Sequence, residues 1–253
     1  MRKLIGSALV ASALALAGCG ADGLPPASTL SKDGAAGAPF PTVSADQPEG
    51  MPSPFGDPQT ANAVREVIAA PAAADIFAPS PLPEMSWGRP DARVTIVQYA
   101  SLTCPHCRRF HASVYPQLKR EFIDTGKVRY ILREFPIGKT SGLATIALRC
   151  APPEKYLDLY GRFMDQQASW VSQDVRPDAV FAIAQQVGMT RAQFDSCREN
   201  QGMIENLKWV KERGRKLGII GTPNFFVGTK LIKSDLTIDE IRAFVEQPQT
   251  AGN

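Results

Sequence analysis

From about residue 93 onward, apolar and polar positions alternate between runs that predict strands and stripes that predict helices. Arg93 to Ala100 is rich in β-branched residues and apolar enough for a central strand, and Lys127 to Phe135 is a second such run. Between them, Pro105 to Asp124 carries a helical pattern, which Pro116 is expected to kink and Gly126 to close. Strand, helix and strand in succession imply parallel pairing. From Lys139 to Leu217 the pattern is helical throughout. Pro177 opens one helix that Gly188 ends, Thr190 and Gln193 form a capping box for the next, and Met203, Ile204, Leu207 and Val210 line one face of another. Asn224 to Val227 and Lys230 to Lys233 then predict a hairpin around Gly228-Thr229. Thr237 and Glu240 cap a last helix ending near Val245. The pattern alone gives an α/β chain whose sheet is interrupted by a long all-helical insertion, with the insertion's stripes read as core packing.

The N-terminal part has a different texture. Arg2-Lys3, the apolar stretch Leu4 to Leu16 and the small residues after it predict a signal peptide over 1–18, too short for a permanent span. Leu16-Ala17-Gly18-Cys19 has the form of a lipobox, in which Cys19 would be acylated; cleavage after Ala15-Leu16-Ala17 is the alternative. Of 21 prolines, twelve fall between Gly20 and Glu84 among many Ala, Gly and Ser residues, so 19–84 is expected to be a largely disordered tether. Such a tether spans about 45 Å end to end. Thr60 to Ala70 could form a short helix, packing on the domain or on a second copy, and ordered structure is expected to begin near Met85. The 253 residues suffice for one domain after the signal, and no second segment approaches the ~20 apolar residues of a membrane span. A net charge of +3, evenly spread, argues against nucleic acid as a partner.

The candidate chemistry is in the cysteines. Five are present: Cys19 alone, the pair Cys104 and Cys107, and Cys150 with Cys197 in the helical stretch. Cys104-Pro105-His106-Cys107 sits where the first strand ends and a helix begins. There the unpaired N–H groups and the positive end of the helix dipole stabilise a thiolate on the first cysteine. Pro105 suits the first helical turn, where its missing N–H costs nothing. Cys104, Cys107 and His111 approximate a metal-ligand spacing, but no fourth ligand is evident, and covalent haem would need His where Arg108 stands. No metal or other cofactor is therefore expected. In an exported protein Cys150 and Cys197 are expected to form a structural disulfide, contributing on the order of 3–4 kcal/mol; a second redox centre is the alternative.

The strand leading into Cys104-Pro105-His106-Cys107, the helical insertion, and Gly221-Thr222-Pro223-Asn224-Phe225-Phe226 together resemble the DsbA-like disulfide oxidoreductases of the thioredoxin superfamily. The resemblance covers roughly Met85 to Val245 and is closest to the lipoprotein or secreted branch found in α-proteobacteria. It implies a thioredoxin-like domain over 85–138 and 218–253, with 139–217 as the insertion. By the same resemblance Cys104 is the exposed nucleophile, Cys107 the buried resolving thiol, and Pro105 and His106 the pair that sets redox character. A partly positive His106 would lower the Cys104 pKa, and stabilising the thiolate makes the disulfide a stronger oxidant. Thr222-Pro223 corresponds to the family's cis-proline loop, which offers backbone hydrogen bonds to an extended substrate. Phe225 and Phe226 are expected to alternate between the faces of the sheet.

One departure stands against the pattern: Gln98 lies where relatives commonly carry a buried carboxylate, and a glutamine cannot accept a proton. The resemblance implies a thiol:disulfide oxidoreductase of the bacterial envelope, acting on exported cysteine-containing proteins and reoxidised by a membrane partner. It would be held by a lipid anchor, and Gly20 after Cys19 points to the outer membrane. An isomerase or reductase of the same fold, a surface lipoprotein whose value is binding, and copper handling through the dithiol are the rival readings.

Overall fold

The computed structural model describes residues 68–233 and 235–247, all within the larger of two compact units, 49–253. The expected signal peptide, Cys19, and the tether as far as residue 67 lie outside those residues, as does most of the helix expected over Thr60 to Ala70. Residues 68–70 are not helical.

A single turn of helix, α1 (Ala73–Ile76), opens the described chain, followed by β1 (Met85–Trp87) and β2 (Val94–Ala100). With β3 (Val128–Glu134), β4 (Asn224–Val227) and β5 (Lys230–Ile232) they form one sheet in the order β1-β3-β2-β4-β5. The apolar run of β2 is central, as its composition predicts. It pairs in parallel with β3, from Val94 against Val128 to Ala100 against Glu134, and antiparallel with β4. The predicted hairpin is β4 and β5, antiparallel, with Gly228 at φ 59 in the turn.

The helix after β2 is broken where the proline signal says it should be. α2 (Pro105–Ser113) ends at Val114, α3 (Tyr115–Leu118) carries Pro116, and a π turn over Lys119–Ile123 precedes Gly126. The insertion comprises α4 (Gly138–Cys150), α5 (Tyr156–Asp165), α6 (Gln167–Trp170), α7 (Pro177–Ala184), α8 (Arg191–Arg198) and α9 (Gln201–Lys216). Thr190 and Thr237 both cap as read from sequence, the second at the start of α10 (Ile238–Glu246).

Alternation along β2 divides the interior in two. Ile96 and Ala100 join α2 and the insertion in one continuous core that includes Cys107, Tyr130, Phe163, Trp170 and Phe194. The insertion is therefore packed largely into the main core, with a small cluster of its own where Ile146 of α4 is buried with Ile204 and Leu207 of α9. On the opposite face Val97, Tyr99, Ile131, Phe135, Leu217 and Ile219 form a second core. Phe225 enters the first and Phe226 the second. The C-terminal part of α9 comes so close to this second face that a Cβ on Gly214 would lie 2.8 Å from the Tyr99 ring.

One boundary differs from expectation. Residues 68–84, assigned to the tether by composition, are packed in the structure. Ile76 is fully buried in the second core. Arg133 Nη1 donates to the Ile76 carbonyl at 2.6 Å, Arg213 Nη2 to the Asp75 carbonyl at 2.7 Å, and Ile68 N to the Lys216 carbonyl at 2.8 Å. The segment gives little periodicity to read because only Ile76 is buried, and arginines from elsewhere in the fold meet the carbonyls of Asp75, Ile76 and Pro83.

Candidate active site

Residues Ser101 to Cys104 carry the chain from the end of β2 into α2, and Cys104 is the N-cap of that helix. Its sulfur accepts from the Cys107 N–H at 3.4 Å, one of the donors that a first helical turn leaves without an internal partner. Pro105 occupies the first helical position, as anticipated. The two cysteines are free thiols in the structure, Cys104 partly exposed and Cys107 fully buried.

Their environments pull the two thiols apart. The Cys104 pKa is lowered to about 5, first by the Cys107 thiol, which donates to it, then by the Thr222 hydroxyl and the backbone N–H groups of Cys107 and His106. Burial pushes Cys107 well above the usual thiol value, and its bond to Cys104 raises it further. One sulfur is thus a thiolate at neutral pH while its neighbour keeps a proton. The expected source of this effect needs correcting in part. The helix terminus acts as expected, through N–H donors, but His106 contributes its backbone N–H, while its imidazole turns to Arg109 and Asp235.

The peptide bond between Thr222 and Pro223 is cis, in the loop that enters β4. Thr222 presents two groups to Cys104. Its carbonyl lies 3.1 Å from the sulfur and accepts from the thiol form, whereas its buried hydroxyl, which has no other partner, favours the thiolate. Sequence-distant residues therefore meet at one sulfur, and all six residues Cys104, Pro105, His106, Cys107, Thr222 and Pro223 belong to one site.

Gln98 is buried on the α2 side of the sheet, and its Oε1 accepts from the Tyr130 hydroxyl. Its Nε2 has no hydrogen-bond partner. His111 lies between α2 and α5, its ring stacked on Tyr115 and edge-on to Tyr160, where burial lowers its pKa. Among the described residues no three His, Cys, Asp or Glu side chains group as metal ligands. Away from the site, Cys150 at the end of α4 and Cys197 in α8 are joined, with an S–S distance of 2.01 Å.

Four contributors escape a reading of the motif. Gln167 of α6 is buried and its Nε2 donates to the carbonyls of Leu102 at 2.8 Å and Cys104 at 3.1 Å, pinning the chain that leads into Cys104. Arg109 and Asp235 engage His106. Ile220, directly before the Gly221-Thr222-Pro223 loop, is a large apolar side chain left 80% exposed. Only Ile220 left a trace in the sequence: adjacent isoleucines in an extended chain face opposite ways, and Ile219 is the buried one.

A family model described as Thioredoxin matches residues 81–247, which include both cysteines of the pair and the cis-proline loop. The chain belongs to the thioredoxin family. Within it, the chain is similar to a putative protein-disulfide oxidoreductase of Rickettsia conorii, 31% identical over 180 residues, covering 67% of this chain and 64% of that protein. This thioredoxin-family chain thus spans just under two thirds of that relative's length. Disulfide bond formation protein D of Bacillus subtilis is 26% identical over 167 residues, covering 63% of this chain and 74% of that one. The crystal structure of Wolbachia pipientis alpha-DsbA1 superposes with a TM-score of 0.61 at 26% identity, over 69% of this chain and 94% of that one. The thioredoxin-like fold with a helical insertion is therefore shared with a DsbA protein.

Proposed function

We propose that the protein is a thiol:disulfide oxidoreductase of the bacterial envelope that passes the Cys104–Cys107 disulfide to cysteines of exported proteins. The observation that carries this is the divergence of the two thiols, Cys104 lowered to about 5 and reachable, Cys107 raised and buried. A substrate thiolate attacks Cys104 of the disulfide and Cys107 leaves, taking a proton. The second substrate thiolate then attacks the substrate sulfur of the mixed disulfide and Cys104 leaves as a stable thiolate. Because the reduced form holds a stabilised anion, the protein favours giving its disulfide away. Thr222, with its carbonyl beside the sulfur, and the exposed Ile220 are the contacts for an extended substrate. A membrane redox partner accepts the two electrons and restores the disulfide.

In this reading Cys19 is acylated and anchors the chain, facing the periplasm, and Gly20 directs it to the outer membrane. Cys150–Cys197 is structural.

The test is disulfide transfer to a reduced two-cysteine peptide, with thiol trapping in cells. The wild-type protein should oxidise the peptide and be found mostly as the disulfide in cells. Cys104→Ser should abolish transfer, and Cys107→Ser should accumulate mixed disulfides with exported proteins. A dithiol held mostly reduced in cells would overturn the oxidase in favour of an isomerase or reductase.

A further inference from the structure

Beside the dithiol three side chains meet on the surface that disulfide transfer as described does not use. His106 Nδ1 lies 2.6 Å from an Arg109 guanidinium nitrogen, and 3.3 and 3.4 Å from the two carboxylate oxygens of Asp235. The same guanidinium nitrogen is 3.4 Å from Asp235 Oδ2. His106 and Arg109 stand one turn apart on α2 and so share a face. Asp235 comes from the connection between β5 and α10, so the tertiary fold brings it to the nucleophile's neighbour.

A single ring nitrogen cannot serve both partners at once. Neutral His106, with its proton on Nε2, accepts from Arg109, and Asp235 then faces the guanidinium. Protonated His106 must release Arg109 and donate Nδ1–H to Asp235. In either state the carboxylate holds one of the two basic side chains that this face of α2 presents, Arg109 or the protonated His106.

We propose that Asp235, acting through His106 and Arg109, is a positioning residue that limits the cationic charge facing Cys104 and thereby sets how oxidising the dithiol is. This rests on the oxidoreductase reading above and adds to it a residue of this chain outside the motif. When the disulfide is passed on, a substrate dithiol gives up two electrons and two protons. The Cys104–Cys107 bond takes both electrons, Cys107 keeps one proton, and the other goes to solvent because Cys104 remains a thiolate. Reduction thus places a new negative charge next to this cluster, where the disulfide has none. Asp235 opposes that charge directly, and also by drawing Arg109 to itself. Without Asp235 both cationic groups are free to face the sulfur; without Arg109 the carboxylate is left less opposed.

The experiment equilibrates full-length wild type, Asp235→Asn and Arg109→Gln with glutathione buffers and reads the fraction reduced, with the ultraviolet absorbance of the thiolate followed against pH. All three side chains are about half exposed, so one charge is worth about threefold in the equilibrium constant, or ~14 mV for a two-electron couple. Asp235→Asn should make the protein more oxidising by that factor and Arg109→Gln less so, with Asp235→Glu near wild type. Added salt should shrink both shifts. Opposite signs are the signature that a merely structural disturbance would not give. Constants unchanged in both variants, or moved in the same direction, would overturn the proposal. A wild-type protein that fails to exchange with glutathione at all would instead overturn the oxidoreductase reading.

Discussion

At Gln98 the sheet sets a neutral amide into the core beneath α2, with Tyr130 donating to its oxygen and nothing accepting from its nitrogen. An unsatisfied buried donor costs about 1–3 kcal/mol, so this is an expensive way to fill the position. In the proposed reaction its chemical consequence falls on Cys107, whose thiol is pushed up by burial and would have to lose its proton to attack a mixed disulfide at Cys104. No carboxylate stands there to take it. Gln98→Glu replaces the orphaned N–H2 by a carboxyl group whose own pKa burial will raise. Once ionised, that group can accept the Cys107 proton. The release of glutathione from a Cys104–glutathione mixed disulfide should then gain a second rising limb, at a pH below that at which Cys107 ionises unaided, which the wild-type protein lacks. An identical pH–rate profile for the two proteins would sink this account of the position.

Elements, in contrast to single residues, show how the site is assembled and how much of it the sequence revealed. The approach from β2 to α2 is held by the insertion: Gln167 of α6 bonds the carbonyls of Leu102 and Cys104, and Ser141 of α4 lies 2.8 Å from Ser101 through their hydroxyls. Gln167→Ala should leave the buried Leu102 carbonyl without that donor, costing about 1–3 kcal/mol in urea unfolding, while the Cys104 carbonyl keeps the Arg108 N–H. It should also slow peptide oxidation by Cys104, because the nucleophile's loop loses its clamp. Stability and rate both at the wild-type level would show the clamp to be incidental. The elements themselves were legible wherever their signals are local. Thr190 with Gln193 and Thr237 with Glu240 announce helix starts within four residues, Gly228 announces the hairpin, and the apolar run of β2 announces its central place. Cys104-Pro105-His106-Cys107 was legible for the same reason. Gln167, Arg109 and Asp235 were not, because a polar residue on a helix or loop reads as a solvated surface until the fold supplies its partner. The strand β1 escaped too: its three residues are strand only because β3 pairs with them.

For the whole molecule, the two cores separate the dithiol from the seat of residues 68–84. The first, on the α2 side, holds Cys107 and the insertion, while the second, across the sheet, receives the described end of the N-terminal segment. Ile76 is the plug of that attachment, fully buried against Val97, Tyr99, Ile131 and Phe226. Arg133, itself buried, reaches from β3 to the Ile76 carbonyl and the Tyr99 hydroxyl, so the strap is latched by backbone as well as by side chain. Composition missed this because one buried isoleucine among many prolines and alanines leaves the average of the segment unchanged. The consequence is a division of effects. Ile76→Ala opens a cavity in the second core and should cost about 2–5 kcal/mol in urea unfolding, as large-to-small changes at well-packed sites do. The equilibrium constant of Cys104–Cys107 with glutathione should not move, since Ile76 lies across the sheet from the dithiol and shares no hydrogen bond with it. A stability loss under about 0.5 kcal/mol, the range of surface substitutions, would return residues 68–84 to the tether. A shifted glutathione equilibrium would show instead that the two faces of the sheet are coupled.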